Sequence, residues 1–528
     1  MSKKRLRRNK EKRGINMNSN VWGISAIIVC YLAGMVAIGI YFMKKNSSTG
    51  DYYLGGRQLG PIVTAMSAEA SDMSSWLLMG LPGVAYLTGT ADAAWTAIGL
   101  AIGTYLNWLI VAKRLRRYSV VAGNAITIPQ FFKNRYHDKS GILAGLSAIF
   151  IVIFFIPYTA SGFAACGKLF STLFGVPYFG AMLVSAIVIV AYTALGGFSA
   201  ASTTDLIQSI VMSVALISVV LFGIKTLGGM DVIASQTASM QGYLSLTSVY
   251  NEGTAVPYGS IKIASTLAWG LGYFGMPHVL LRFMAISDEN KIKLSRRIAT
   301  IWVVISMAVA VFIGIMGYTL SRQGYIDMLT GADSEKVIIT IATLMSKSGV
   351  LGIILAGLIM SGILACTMST ADSQLLAASS SVSEDLLKGI LKKEVSEKTS
   401  LIIARVTVLL IAVMGVLMAL NPESSVFAIV SFAWAGFGAV FGPVVLLALF
   451  WKRSNRQGAI VSMFAGGVMI FVWKYLVRPM GGAWDIYELL PAFLVAMILN
   501  IIVSLMTAPP EKEIVEEFEK AADNSYNL

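Results

Sequence analysis

Runs of about 20 apolar residues recur along this chain, and each is long enough to cross a bilayer as a helix. Water is absent from the hydrocarbon, so only helices and closed β-barrels satisfy their backbone groups there. The short alternating segments of a barrel are missing. The chain therefore reads as an all-α integral membrane protein. At 528 residues, 56% hydrophobic and 13% charged, with a mean hydropathy of +0.72, it is far more apolar than a soluble domain. About thirteen spans are predicted, with cores at 21–43, 61–87, 92–112, 142–171, 176–195, 204–227, 256–285, 298–320, 348–383, 399–419, 424–450, 457–476 and 487–507.

The first run, Val21 to Phe42, is too long for a signal-peptide core, and no small-residue cleavage site follows it. Cys30, Cys166 and Cys366 all fall inside spans, so neither a secreted disulfide framework nor a metal-site spacing is present. The net charge of +13 is distributed in a way that argues against nucleic acid. Basic residues cluster at Lys44, Lys45 and Arg57, in 113–139, in 291–297, in 388–398 and in 452–456. The alternate loops are nearly free of Lys and Arg, apart from a few in 321–347. By the positive-inside rule these basic loops are cytoplasmic, with the N-terminus outside and the C-terminus inside a plasma membrane. The basic N-terminal tail, 1–20, disagrees with that orientation. An even number of spans would explain it, as would translation starting at Met17, which we favour; as a segment it reads as a disordered extension near lipid headgroups.

No soluble domain is predicted: residues 21–507 form one membrane domain, followed by a C-terminal tail, 508–528. Polar residues inside spans are costly and are functional candidates by default. Glu69 and Asp72 in the second span, Asp205 in the sixth, Lys262 in the seventh and Asp372 in the ninth make up this set. The bland alternative is that each merely pairs with a neighbour to fix helix packing. Two spans are interrupted: the second by SAEASDMSS and then Pro82-Gly83, the seventh by WGLGYFGMPH. They are the first and sixth of ten consecutive spans, in two blocks of about 61–227 and 256–450. Interruptions at matching positions of two five-helix halves point to an inverted-repeat transporter, in which unwound backbone offers carbonyls to cations. GLGYFG also fits G-x-G-x-x-G, but it lies inside a span and not between a strand and a helix. In the ninth span, Ser369, Asp372 and Ser373 share one helical face. Hydroxyls and a carboxylate are hard oxygen donors, suited to a cation such as sodium.

Together SDMSSWLLMGLPG, DYYLGGRQLGP, GGFSAASTTD, WGLGYFGMPH and MSTADSQLLAASSSVSEDL resemble the sodium:solute symporter family, over about residues 20 to 507. Within it the sodium/proline symporters are most similar. The resemblance implies a LeuT-type five-plus-five inverted repeat with one extra helix before it and two after it. It implies a sodium site made by the backbone carbonyls of Ala70, Met73 and Cys366 and the hydroxyls of Ser369 and Thr370, with Asp72 and Ser74 nearby. Proline would lie against Tyr158, Trp269, Tyr273 and Pro277, with Met276 in the same segment. Asp205 matches an aspartate that helps bind a second sodium in some relatives.

This chain departs from the family pattern at Glu69 and Ser75, at Met276, at Lys262 and at Asp372. The departures leave the first sodium site whole and bear on the substrate. Two expectations follow: an intramembrane ion pair between Glu69 and Lys262, and a second cation or proton site at Asp205, Asp372 and Ser373. The function implied is sodium-coupled import of L-proline by alternating access, with no enzymatic chemistry and no obligate protein partner. Import of another amino acid, a betaine or a carboxylate, coupled to sodium or protons, is the alternative. A channel would favour symmetric rings of pore residues, and an intramembrane hydrolase would need a nucleophile or metal cluster that the sequence lacks.

Overall fold

Uninterrupted apolar runs become helices, and the chain changes direction where Gly, Pro, Ser or Asn breaks them. A computed structural model describes residues 3–43, 49–251, 253–390 and 397–523. Lys44, Lys45, most of the basic stretch 388–398 and the end of the C-terminal tail lie outside the described residues. In chain order the helices are α1 (Lys3–Met43), α2 (Thr49–Leu54), α3 (Pro61–Ser75), α4 (Leu81–Thr88), α5 (Thr90–Leu106), α6 (Ala112–Val121) and α7 (Ile128–Arg135). Next come α8 (Ile142–Phe174), α9 (Tyr178–Leu227), α10 (Met230–Ala238), α11 (Ser260–Leu267), α12 (Pro277–Ala285) and α13 (Ile292–Arg322). The remainder are α14 (Val337–Met345), α15 (Val350–Ser380), α16 (Glu397–Met418), α17 (Val426–Phe450), α18 (Arg456–Val472), α19 (Leu489–Met506) and α20 (Lys512–Ala522).

Nine helical stretches among the described residues are long and apolar enough to cross a membrane. Two shorter apolar helices, Tyr178–Ala191 and Ile402–Met418, accompany them, as do the two interrupted segments. The fifth and sixth predicted spans are the two arms of α9, bent at Gly197, where φ is +66°. Only glycine adopts that conformation without strain. The expectation of an all-helical chain needs one addition: β1 (Ser248–Asn251) and β2 (Thr254–Pro257) pair antiparallel as a small hairpin. The basic N-terminal tail continues into the first span as one helix, α1, and is not an irregular extension.

Among the described residues, the basic loops around Arg57, Arg117 and Arg456 share one face: Arg117 pairs with Glu289 at 2.6 Å and Arg456 with Asp138 at 3.5 Å. Arg57 donates to Ser119 Oγ at 3.1 Å and to the carbonyls of Ala125 and Met284, both at 2.6 Å. The C-terminal tail is also part of this face. Ile514, Phe518 and Ala521 of α20 are buried, and the Arg114 guanidinium lies 4.9 Å from the Phe518 ring centre. On the opposite face a buried ion pair joins Lys168 of α8 to Glu335 at 2.6 Å. Glu335 also accepts from the backbone N–H groups of Val426 and Phe427, both at 3.0 Å, and so caps α17.

Candidate ion and substrate site

The second span breaks at Ser74, where φ is +47°. That value is rare for a residue with a Cβ and is held only when the surroundings enforce it. A π-turn, Trp76–Gly80, follows, and the segment resumes as α4. The break leaves carbonyls without helical partners, and neighbouring hydroxyls take them up. Ser369 Oγ of α15 donates to Ala70 O at 2.8 Å, and Tyr158 Oη of α8 donates to Asp72 O at 2.9 Å. Ser369 and Thr370 also donate to Cys366 O, at 3.2 and 3.0 Å. Of the five expected sodium ligands, Ser369 thus ties Ala70 O of α3 to Cys366 O of α15, while the Thr370 hydroxyl back-bonds to Cys366 O within α15. The fifth, Met73 O, accepts from Trp76 N–H in the turn beyond the break. Ser74 Oγ accepts from the same N–H at 3.1 Å.

The seventh span breaks as the sequence indicates. Ala268–Gly275 winds as a 3₁₀ stretch, Met276 is extended, and Pro277 opens α12. Glycine matters here through close approach: a Cβ at Gly103 of α5 would collide with the backbone of Gly270, and one at Gly270 with that of Gly99. Tyr273 Oη donates to Asp72 Oδ2 at 2.6 Å, which joins the two broken segments directly. Asp72 Oδ1 is buried without a hydrogen-bond partner among the described residues.

Beside this junction lies a small cavity of about 10 Å³. Asp72, Met73 and Trp76 line it from the second span, Leu100 and Tyr158 from the flanking helices, Trp269 from the seventh span, and Val430 and Trp434 from α17. Trp269 packs at a tilt against Trp76, with ring centres 5.6 Å apart and planes at 34°. Of the residues expected to touch substrate, Tyr158 and Trp269 line the cavity, and Tyr273 packs edge-on against Trp434 at 5.0 Å. Met276 and Pro277 are buried and are not among the lining residues.

The expected Glu69–Lys262 ion pair is not formed. Glu69 is buried in the middle of α3, and its Oε1 accepts from Trp108 Nε1 at 2.9 Å. Lys262 is in the first turn of α11 at the opposite face, is 38% exposed, and pairs with Asp485 at 2.8 Å. The two residues sit at different depths, and a lysine stem readily carries its charge out to the interface.

At the expected second cation site, Asp205, Asp372 and Ser373 do converge, around a charge that the chain itself supplies. Arg282 of α12 reaches Asp205 Oδ2 at 3.2 Å and donates to Ser373 Oγ at 2.5 Å and Ser67 Oγ at 3.0 Å. Ser67 in turn donates to Asp205 Oδ2 at 2.6 Å, and Ser373 to Asp372 Oδ1 at 3.2 Å. Arg282, Lys168 and Trp108 escaped the sequence reading. The two cations carried the same signal as Lys262, a charge within an apolar run; Trp108 carried none, since a tryptophan in a span is ordinary.

A model of the sodium:solute symporter family matches residues 52–466. The osmoregulated proline transporter OpuE of Bacillus subtilis is 40% identical over 482 residues, 91% of this chain and 94% of that protein. A sodium/proline symporter of Haemophilus influenzae is 41% identical over 495 residues, 93% of this chain and 96% of that protein. A solved Na⁺-coupled sialic acid symporter, in a substrate-bound outward-open state, superposes with a TM-score of 0.75 at 18% identity, covering 93% of this chain and 99% of that one. The likeness extends the LeuT-type architecture to the whole membrane region. This chain belongs to the sodium:solute symporter family.

Proposed function

We propose that the chain is a sodium-coupled symporter that imports L-proline by alternating access across the plasma membrane. One observation carries this reading: Ser369 Oγ ties Ala70 O of α3 to Cys366 O of α15 one helical turn from Asp72 and Met73, which line the chamber. Ion and substrate thus share the same unwound backbone. Sodium drawn to those oxygens fixes α3 against α15, and with it the wall that Asp72 and Met73 present to substrate. Trp269 and Tyr158 offer apolar and aromatic surface to a pyrrolidine ring, and the broken ends handle its carboxylate and amine. Relatives named as proline transporters or sodium/proline symporters support the substrate. Met276, the departure that bore on substrate identity, is not among the lining residues.

The spans number thirteen in this reading, with repeats at about 61–227 and 256–450, an external N-terminus and a cytoplasmic C-terminus. The basic face is then cytoplasmic. Asp205 and Asp372 carry two acidic groups against one guanidinium, so a second cation or a proton balances the cluster. At −100 mV each positive charge carried inward yields about 2.3 kcal/mol, which is nearly 50-fold in accumulation.

Labelled L-proline uptake into proteoliposomes tests the reading. We expect accumulation under an inward sodium gradient, none under a potassium or proton gradient alone, and loss in the Ser369→Ala/Thr370→Ala double variant. Accumulation under a proton gradient alone would contradict sodium coupling. Sodium-dependent stabilisation of the protein without proline uptake would redirect the substrate to another amino acid, a betaine or a carboxylate.

A further inference from the structure

The segment between α18 and α19 lies outside the two repeats, yet it reaches the substrate chamber. Tyr487 is buried, and its ring stacks on Trp269 with centres 5.2 Å apart and planes at 23°. Its backbone N–H donates to Ser265 Oγ of α11 at 2.6 Å. Its hydroxyl donates to Ser431 O, in the second turn of α17, at 2.6 Å. One residue therefore bridges the outer half of the seventh span and the outer end of α17, both of which wall the chamber.

The neighbours of Tyr487 hold it there. Glu488 is buried and accepts from Arg478 Nη1 at 2.8 Å and Lys474 Nζ at 3.3 Å. Asp485 receives Arg478 Nε at 3.0 Å and Lys262 Nζ at 2.8 Å. Lys262, unusual for the family and without its expected partner Glu69, is thus the tie from α11 to this segment.

We propose that residues 478–488 form a strap across the outer gate, with Tyr487 as the positioning residue that seats Trp269 over the chamber and Lys262–Asp485 as its outer tie. For α11 and α17 to part and admit substrate from outside, the Tyr487 bonds to Ser265 and Ser431 must break. The strap therefore sets how often the chamber opens outward. This rests on the symporter reading for its orientation, but not on proline as the substrate.

The test measures gate opening directly. Val430→Cys, on the chamber wall, is placed in the full chain with Cys30, Cys166 and Cys366 replaced by alanine, and a membrane-impermeant thiol reagent is applied from outside. Tyr487→Ala is expected to raise the labelling rate tenfold or more. Tyr487→Phe keeps the ring and loses the bond to Ser431, and is expected to raise it about fivefold. Lys262→Met is expected to raise it about threefold at low salt, with the difference vanishing at high salt, where the native bridge is screened. In the chain without the Val430→Cys reporter, maximal transport rates should fall in the same order without a rise in the half-saturation concentration for external substrate, because closure is impaired and the residues lining the chamber are intact. Should Tyr487→Ala not reach the membrane, the other two variants decide. Labelling within twofold of the native rate in both would overturn the strap. Failure of proline uptake with labelling raised as expected would count against proline and leave the strap standing.

Discussion

Ser369 Oγ lies within hydrogen-bond reach of two carbonyls on two helices, Ala70 O and Cys366 O, at the position where we propose that sodium binds. Ser369→Ala and Thr370→Ala should each raise the sodium concentration for half-maximal uptake about tenfold or more, as expected when an oxygen facing a charge is lost. Sodium titration of uptake at fixed proline checks this. Glu69 is different in kind. Its chemistry was visible in the sequence as a carboxylate in an apolar run, but its partner was not, because Trp108 is distant in sequence and tryptophan gives no charge signal. Trp108→Phe should cost about 1–3 kcal/mol by leaving a buried carboxylate oxygen without its donor, read as a lowered denaturation midpoint in detergent. Glu69→Gln and Lys262→Met should have independent effects, since Lys262 bonds to Asp485 instead. Recovery of function in their double variant would restore the ion pair that the structure excludes.

At the scale of elements, the two broken spans were legible because small, polar and helix-breaking residues cluster within a few positions of each. The seventh span breaks across its glycines and Pro277, as its sequence indicates. In the second, the kink falls at Ser74, while Pro82 and Gly83 sit inside α4. A proline near a helix N-terminus starts a helix as readily as it ends one, which local sequence does not distinguish. The packing of the broken segment against α5 was also hidden, because it depends on which glycines face each other. Gly103→Ala would force a Cβ into the Gly270 backbone. Overpacking of this kind typically costs about 1–3 kcal/mol. A lower denaturation midpoint and reduced uptake are expected, with Gly60→Ala, where nothing lies within 4 Å, as the neutral control.

At the scale of the molecule, the helical membrane character was legible, because it follows from composition along the chain. The proposed strap was not, since it depends on residues after the second repeat folding back onto α11 and the second turn of α17. Burial pushes the Asp485 carboxyl upward, but the hydrogen bonds and charges of Lys262 and Arg478 outweigh it and leave it below the usual carboxylate range. A carboxylate lowered in this way adds stability above its unfolded pKa of about 3.9, and loses it only as pH falls through the still lower folded value. The ratio of labelling rates between Lys262→Met and the native chain at position 430 should therefore stay constant from about pH 5 to 8. A ratio that collapsed towards one near pH 6 would assign the outer tie to a different group. The central claim is that ion and substrate share one stretch of unwound backbone, so their binding energies must be coupled equally in both directions. The most direct measurement is proline affinity with and without sodium, and sodium affinity with and without proline, on the purified protein. The account predicts the same factor in both directions, abolished in Ser369→Ala/Thr370→Ala; proline affinity indifferent to sodium would contradict it.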